Sequence, residues 1–169
     1  MVSRVANIVF IGMPGSGKST VGVLVAKRLG LGFVDTDLLI QQEVGRTLQD
    51  IVDKDGYVAL RNIEEQVLLG LNVDAQVIST GGSAVYSDAA MKHLKDNGTV
   101  VFLDIPLQSV VDRIGDYSLR GISRHPGQSL KELFDERFEL YTQYADLTIK
   151  GENLNQGQVC EAVIAGLGA

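Results

Sequence analysis

Cysteine is almost missing from this chain of 169 residues: Cys160 stands alone, so no internal disulfide can form and no cysteine cluster can hold zinc. Its helical surroundings, Gln158 to Leu167, give it a place in core packing. Tryptophan is absent, and there are two histidines and three prolines. Positive charge is in deficit, with 15 Lys and Arg against 21 Asp and Glu and a net charge of −6. A duplex-binding protein carries a basic face, so nucleic acid is not expected as a partner. Long apolar runs are lacking too. The first, Ile8 to Met13, is too short for a bilayer, and it meets glycines and a lysine where a secretory signal would be cleaved. No membrane partner is expected, and the expected setting is the cytoplasm.

Hydrophobic residues make up 45% of the chain and charged residues 21%, which excludes a disordered chain and suits one soluble domain over 1–169. Strand and helix patterns alternate. Val5 to Ile11 reads as a buried strand, and a glycine-rich turn leads into a helix from Lys18 to Leu29 closed by Gly30. Phe33 and Val34 form a short strand ending at Asp35, and Leu38 to Val44 a short helix. Thr47 and Asp50 have capping-box-like spacing and open another helix, which Gly56 breaks before a longer one from Tyr57 to Leu71. Strands follow at Gln76–Ser79, Thr99–Asp104 and Leu147–Ile149. Helices follow at Ala89–Lys95, Pro106–Ile114 and Ser129–Tyr144, with Pro106 at the first helical position. Gly115 to Gln128, rich in Gly, Arg and Ser, reads as a mobile loop. The pattern implies an α/β fold with a parallel sheet covered by helices on both faces.

The strongest signal is Gly12-Met13-Pro14-Gly15-Ser16-Gly17-Lys18-Ser19, which fits G-x-x-x-x-G-K-[ST] and sits between strand and helix. Such a loop turns backbone N–H groups into one concavity at a helix N-terminus, where phosphate binds. Lys18 is placed to reach the β- and γ-phosphates, and the Ser19 hydroxyl to ligate Mg²⁺. Thr20 completes the nucleotide-binding segment. Asp35 and Asp37 follow at the carboxyl end of a strand, where ligands of open parallel sheets collect. One could hold a metal-bound water and the other accept a proton from an attacking hydroxyl. The plainer alternative is a pair of acids capping the next helix.

These motifs resemble the shikimate kinases. The resemblance rests on the P-loop, Phe33-Val34-Asp35-Thr36-Asp37, Gly45-Arg46-Thr47, Gly56, Arg61, Glu64-Glu65 and Thr80-Gly81-Gly82. It continues through Arg113, Arg120, Glu136-Arg137, Leu140-Tyr141 and Ala145-Asp146. It implies a P-loop NTPase fold of the nucleoside-monophosphate-kinase type, a five-stranded parallel sheet in the order 2-3-1-4-5. It also implies an acceptor-binding region at about 36–64 and a lid at about 115–128.

ATP, Mg²⁺ and a small carboxylate-bearing acceptor are the implied partners of a monomeric enzyme. By resemblance, Asp35 positions Mg²⁺ through water, and Asp37 binds acceptor hydroxyls and assists deprotonation. Arg61 and Arg137 clamp the acceptor carboxylate, and Gly81 and Gly82 offer backbone N–H groups beside it. Arg113 flanks the adenine, and Arg120 closes over the phosphates. His125, in the lid region, is not expected to touch nucleotide. His93 reads as a solvated surface residue, and Tyr141 and Tyr144 as packing.

Three departures from the family's usual sequence stand out. Ser83 replaces the third glycine of a Gly-Gly-Gly run, so a side chain narrows the acceptor pocket or adds a hydroxyl contact. Arg120-Gly121-Ile122-Ser123 replaces Arg-Pro-Leu-Leu, which is expected to loosen the open lid. Val52 and Leu60 stand where Phe is common. Shikimate is the best single acceptor. A kinase of another small hydroxy acid, sugar acid or cyclitol stays open, as does a catalytically silent nucleotide-binding regulator. A nucleoside monophosphate kinase fits less well, because Asp-x-Asp suits a hydroxyl better than a phosphate acceptor.

Overall fold

The structure, a computed structural model, describes residues 5–115 and 121–168. Five parallel strands form one sheet in the order β2-β3-β1-β4-β5. They are β1 (Asn7–Ile11), β2 (Gly32–Asp35), β3 (Gln76–Ser79), β4 (Gly98–Asp104) and β5 (Leu147–Lys150). β1 pairs on both sides, with β3 and β4, and every residue of it is buried. Its side chains alternate between two cores. Ile8 and Phe10 join Val101 and Leu103 beneath α1 (Lys18–Leu29) and α8 (Gln156–Leu167). Val9 and Ile11 join Val100 and Phe102 beneath α5 (Asp88–Asp96) and α7 (Leu130–Tyr144). A strand buried on both faces has no polar side to show, which is why it reads as one apolar run. Cys160 lies in the first of these cores.

A smaller third core, built on Ile40, Ile51, Leu60 and Val67, holds α2 (Thr36–Val44), α3 (Leu48–Asp55) and α4 (Tyr57–Leu69) together. The helix boundaries follow local chemistry. Gly30, at φ 68°, ends α1 with its N–H on Ala26 O. The Thr47 hydroxyl accepts from Asp50 N at 3.1 Å and opens α3. The Asp50 carboxylate pairs with Arg46 and Lys54, so the reciprocal half of a capping box is replaced by ion pairs. Ser129 caps α7 in the same way as Thr47 caps α3.

Four expectations need correction. Val5 is exposed and lies before the strand; β1 begins at Asn7, whose carboxamide bonds Val73 O at 2.7 Å and Gln76 N at 2.9 Å. Pro106 is the N-cap of α6 (Leu107–Ile114), with extended ψ of 150°, not its first helical residue. His93 is half-buried, its Nε2 2.8 Å from Leu71 O. The loop expected to be mobile is anchored over part of its length: Gly121, Ile122 and Ser123 are buried. Among the described residues no helix is long and apolar enough to cross a membrane.

Candidate active site

Because all strands run parallel, β1, β2 and β3 deliver their following loops to one edge of the sheet. There they surround a cavity of about 420 Å³. The P-loop forms one wall. Gly17 precedes α1 at φ 95°, a left-handed conformation open to glycine at little cost. Gly12 has no room for a side chain, since a Cβ would lie 2.9 Å from Leu103 O. The Lys18 ammonium is held among the loop carbonyls, donating to Gly12 O at 2.8 Å and Met13 O at 2.9 Å. Burial lowers its pKa to about 8, against the pull of Asp37, which favours the charged form. Pro14, Gly15, Gly17, Ser19 and Thr20 line the cavity, with Ser16 buried behind them. Arg113 is exposed beside the loop, its Nη1 3.2 Å from Gly15 O.

Asp35 caps α2, the plainer of the two sequence readings, and also reaches the P-loop. Its Oδ1 accepts from Asp37 N at 2.9 Å and Leu38 N at 3.2 Å, capping α2, while Oδ2 accepts from the Ser19 hydroxyl at 2.8 Å. The Ser19 hydroxyl lies also 3.1 Å from Ser79 Oγ. Hard oxygen donors at the mouth of a phosphate cradle suit Mg²⁺, which keeps waters and takes phosphate oxygens in place of a full protein cage. Asp37, two residues past the cap, lines the cavity itself. Burial raises its pKa to about 6, with Lys18 opposing.

The facing wall is Gly81-Gly82-Ser83. A Cβ on Gly81 would lie 2.5 Å from both Asp37 Oδ1 and Glu64 Oε2. A Cβ on Gly82 would lie 2.6 Å from Arg137 Nη1 and 2.8 Å from Pro14 Cδ. Both glycines therefore serve close approach. Ser83 lines the cavity, but its hydroxyl donates to Glu64 Oε1. Burial drives the Glu64 carboxyl up to about 7, reinforced by Asp37 and opposed by the Ser83 hydrogen bond.

Sequence reasoning gave Glu64 no role. The signal was its spacing from Arg61, three residues on and on the same face of α4. Tyr141 is more than packing as well, because its hydroxyl donates to Gly82 O at 2.6 Å. Tyr144 packs in the core and donates to Asp88 Oδ1 at 2.7 Å.

The two clamp arginines converge. Arg137 is 1% exposed and lines the cavity; its Nη2 donates to Ser123 O at 2.6 Å. Its Nε is buried with no hydrogen-bond partner among the described residues. Arg61 reaches the same residue, donating from Nε to Ser123 Oγ at 2.6 Å and from Nη2 to Ser123 O at 3.1 Å. Its guanidinium lies 3.7 Å from the Tyr86 ring centroid and 4.9 Å from that of Tyr57. His125 stacks on Tyr57 at 5.8 Å. Arg120 lies outside the described residues.

The wall also explains Gly121. At φ 62° its backbone is left-handed, a conformation closed to proline, and a Cβ would meet Leu48 Cβ at 2.6 Å. Its N–H donates to Gln49 Oε1 at 2.8 Å. The glycine read as loosening the lid instead lets the chain press onto α3.

A family model described as shikimate kinase matches residues 14–167. A shikimate kinase of Persephonella marina is 36% identical over 159 residues, covering 94% of this chain and 96% of the relative. One from Paracidovorax citrulli is 39% identical over 151 residues, covering 86% and 82%. Among solved structures, the shikimate kinase of Acinetobacter baumannii in complex with shikimate superposes with a TM-score of 0.84 at 33% identity, covering 96% of this chain and 91% of that one.

Proposed function

We propose that this chain, which belongs to the shikimate kinase family, transfers the terminal phosphoryl group of ATP to a hydroxyl of shikimate, giving shikimate 3-phosphate and ADP. The observation that carries the acceptor reading is Arg137. It is a buried cation facing the P-loop cavity, while the ion pairs of the described residues lie on the surface. Arg137 makes no ion pair among the described residues, and its nearest acids, Asp37 and Glu64, are themselves pushed toward the neutral form by burial, so an anionic ligand is called for and a carboxylate matches the guanidinium fork.

In this reading the P-loop N–H groups and Lys18 hold the phosphates, and Arg113 flanks the adenine. Ser19 and, through water, Asp35 would hold Mg²⁺, which would supply charge neutralisation for the transferring phosphoryl group. Gly81 and Gly82 N–H groups and Asp37 orient the acceptor hydroxyl opposite the γ-phosphate. Asp37, with a pKa of about 6, is suited to accept the hydroxyl proton near neutral pH as the new O–P bond forms and the bond to ADP breaks. Arg61 and Arg137 bind the carboxylate. Residues 36–64 carry the acceptor region, and 115–128, with Arg120, form the lid that excludes water.

ADP release, measured with shikimate and a panel of hydroxy acids, sugar acids and cyclitols, tests the assignment. Shikimate-dependent release is expected. Release independent of acceptor, or a higher kcat/KM for another acid, overturns it. The second outcome would favour the wider hydroxy-acid reading, for which Leu60 and Ser83 in the cavity wall speak.

A further inference from the structure

We propose that Ser123 is a positioning residue for acceptor binding, acting through Arg61 and Arg137; the proposal rests on the acceptor reading above. Ser123 lines the cavity between the P-loop and the acceptor wall, as Arg137 does, while Arg61 stands outside the lining. Both oxygens of Ser123 are committed to guanidinium donors. Its Oγ and O accept from Nε and Nη2 along one edge of Arg61, at 2.6 and 3.1 Å, and its O accepts again from Arg137 Nη2 at 2.6 Å.

Three consequences follow from this geometry. The aromatic ring of Tyr86, 3.7 Å from the Arg61 guanidinium, fixes the plane of that group, and Ser123 fixes its rotation within the plane. Ser123 O lies between two like charges, and both burial and Arg137 lower the Arg61 pKa. The guanidinium donors not spent on Ser123 are Arg61 Nη1, Arg137 Nη1 and the unpartnered Arg137 Nε; Arg137 Nη1 lies against Gly82, beside the acceptor wall.

Ser123 is itself firmly seated. Ile122 before it is buried in the core, and Gly121 is held by Gln49 and by contact with Leu48. The segment directly after Arg120 is thus tied to the acceptor clamp by a side-chain hydroxyl. The family's usual leucine at this position has no such group. An arginine pair held in this way meets the carboxylate in one orientation, and pre-set orientation is what mutation of a distant support removes.

Steady-state kinetics of Ser123→Ala, Ser123→Thr and Arg61→Ala, singly and combined, test the proposal with shikimate as the varied acceptor. Thermal unfolding of each variant checks folding. Ser123→Ala is expected to raise the acceptor KM about tenfold with the ATP KM within about twofold of wild type, the size of one lost charge-assisted hydrogen bond. Ser123→Thr keeps the hydroxyl and restores most of the affinity. In the Arg61→Ala background, Ser123→Ala adds less than about threefold, because the contact is already gone.

A lower acceptor KM in Ser123→Ala would show Ser123 to be a competitor of the acceptor and overturn the proposal. So would an unchanged KM, equal effects on ATP and acceptor, or full additivity with Arg61→Ala. If wild type prefers another acid of the panel, the shikimate assignment fails, and the Ser123 coupling is read on that acid instead.

Discussion

Gly81→Ala isolates the reacting corner of the site with one methyl group. Gly81 does not have a left-handed backbone, so alanine brings no conformational penalty and acts through space alone. The new Cβ would lie 2.5 Å from Asp37 Oδ1 and 2.5 Å from Glu64 Oε2. Ordinary contact needs roughly a further ångström on each side. Both neighbours are ends of side chains, so the cheapest relief is rotation of the two carboxylates, not movement of the sheet. The stability cost therefore falls at the low end for overpacking, about 1 kcal/mol, or a fall in Tm of about 2–4 °C for a chain of this size. Catalysis is more exposed, because displacing a reacting group by about 1 Å costs on the order of 100-fold. The expected variant is folded, binds ATP as wild type does, and has kcat/KM for the acceptor reduced about 100-fold. Thermal unfolding, nucleotide titration and ADP release together check this. Wild-type kcat/KM in a folded variant would refute the proposal that Asp37 and Gly81 orient the reacting hydroxyl.

Arg137→Lys and Arg61→Lys each replace a planar fork by a point charge, which should cost about 1.5–3 kcal/mol of acceptor binding, seen as a rise of roughly 10- to 150-fold in acceptor KM with ATP KM little changed. Equal effects on both substrates would assign the arginines to the nucleotide or the fold. The raised carboxyls predict a pH effect. Asp37 moves from 3.8 to about 6 and Glu64 from 4.5 to about 7, so between those values the folded protein holds more protons than the unfolded chain, and stability falls as pH rises through that window. The gain in unfolding free energy of Asp37→Asn over wild type, read by urea unfolding, should therefore be larger at pH 7.5 than at pH 4.5 by on the order of 1–3 kcal/mol, while turnover is lost; a pH-independent difference would contradict the burial argument. Ser83→Ala takes the hydrogen bond from buried Glu64 and should cost about 1–3 kcal/mol in urea unfolding, with wild-type stability as the contrary result.

The parts of the molecule legible in the sequence are those set by local chemistry. Strand β1 showed its two buried faces as an unbroken apolar run, α1 its glycine stop, α3 its hydroxyl cap, and the P-loop its spacing. Asp35 was legible for the same reason, since capping α2 and meeting Ser19 both depend on a single turn of chain beside a single strand. Glu64 was not. A glutamate on a helix is solvated by default, and only the approach of Gly81 and Ser83 from a different strand buries it. Gly121 was misread because glycine raises chain freedom when nothing surrounds it. Here Leu48 and Gln49 surround it, and the same missing Cβ becomes a packing device. His93 was misread as solvated because Leu71 O, far away in sequence, was invisible.

In-line transfer requires the phosphate cradle and the acceptor wall to keep a fixed separation, and contacts below the cavity link the two. Pro14 of the P-loop packs against Gly82 so closely that a Cβ there would lie 2.8 Å from its Cδ. Beneath this contact, Tyr141 donates to Gly82 O at 2.6 Å and has Met13 Sδ 3.8 Å from the same hydroxyl. One fully buried phenol on α7 therefore touches both the loop that holds ATP and the turn that holds the acceptor. Its pKa is pushed far up by burial, so it remains a neutral donor across the working pH range. Arg137 lies one turn before it on the same helix and faces the acceptor side. In the proposed reading one helix thus carries both Arg137, for the acceptor's carboxylate, and the phenol that links cradle and wall. Each substrate then finds its partner's position already fixed when it binds. On the proposed function the lid would then be left to exclude water and neutralise charge.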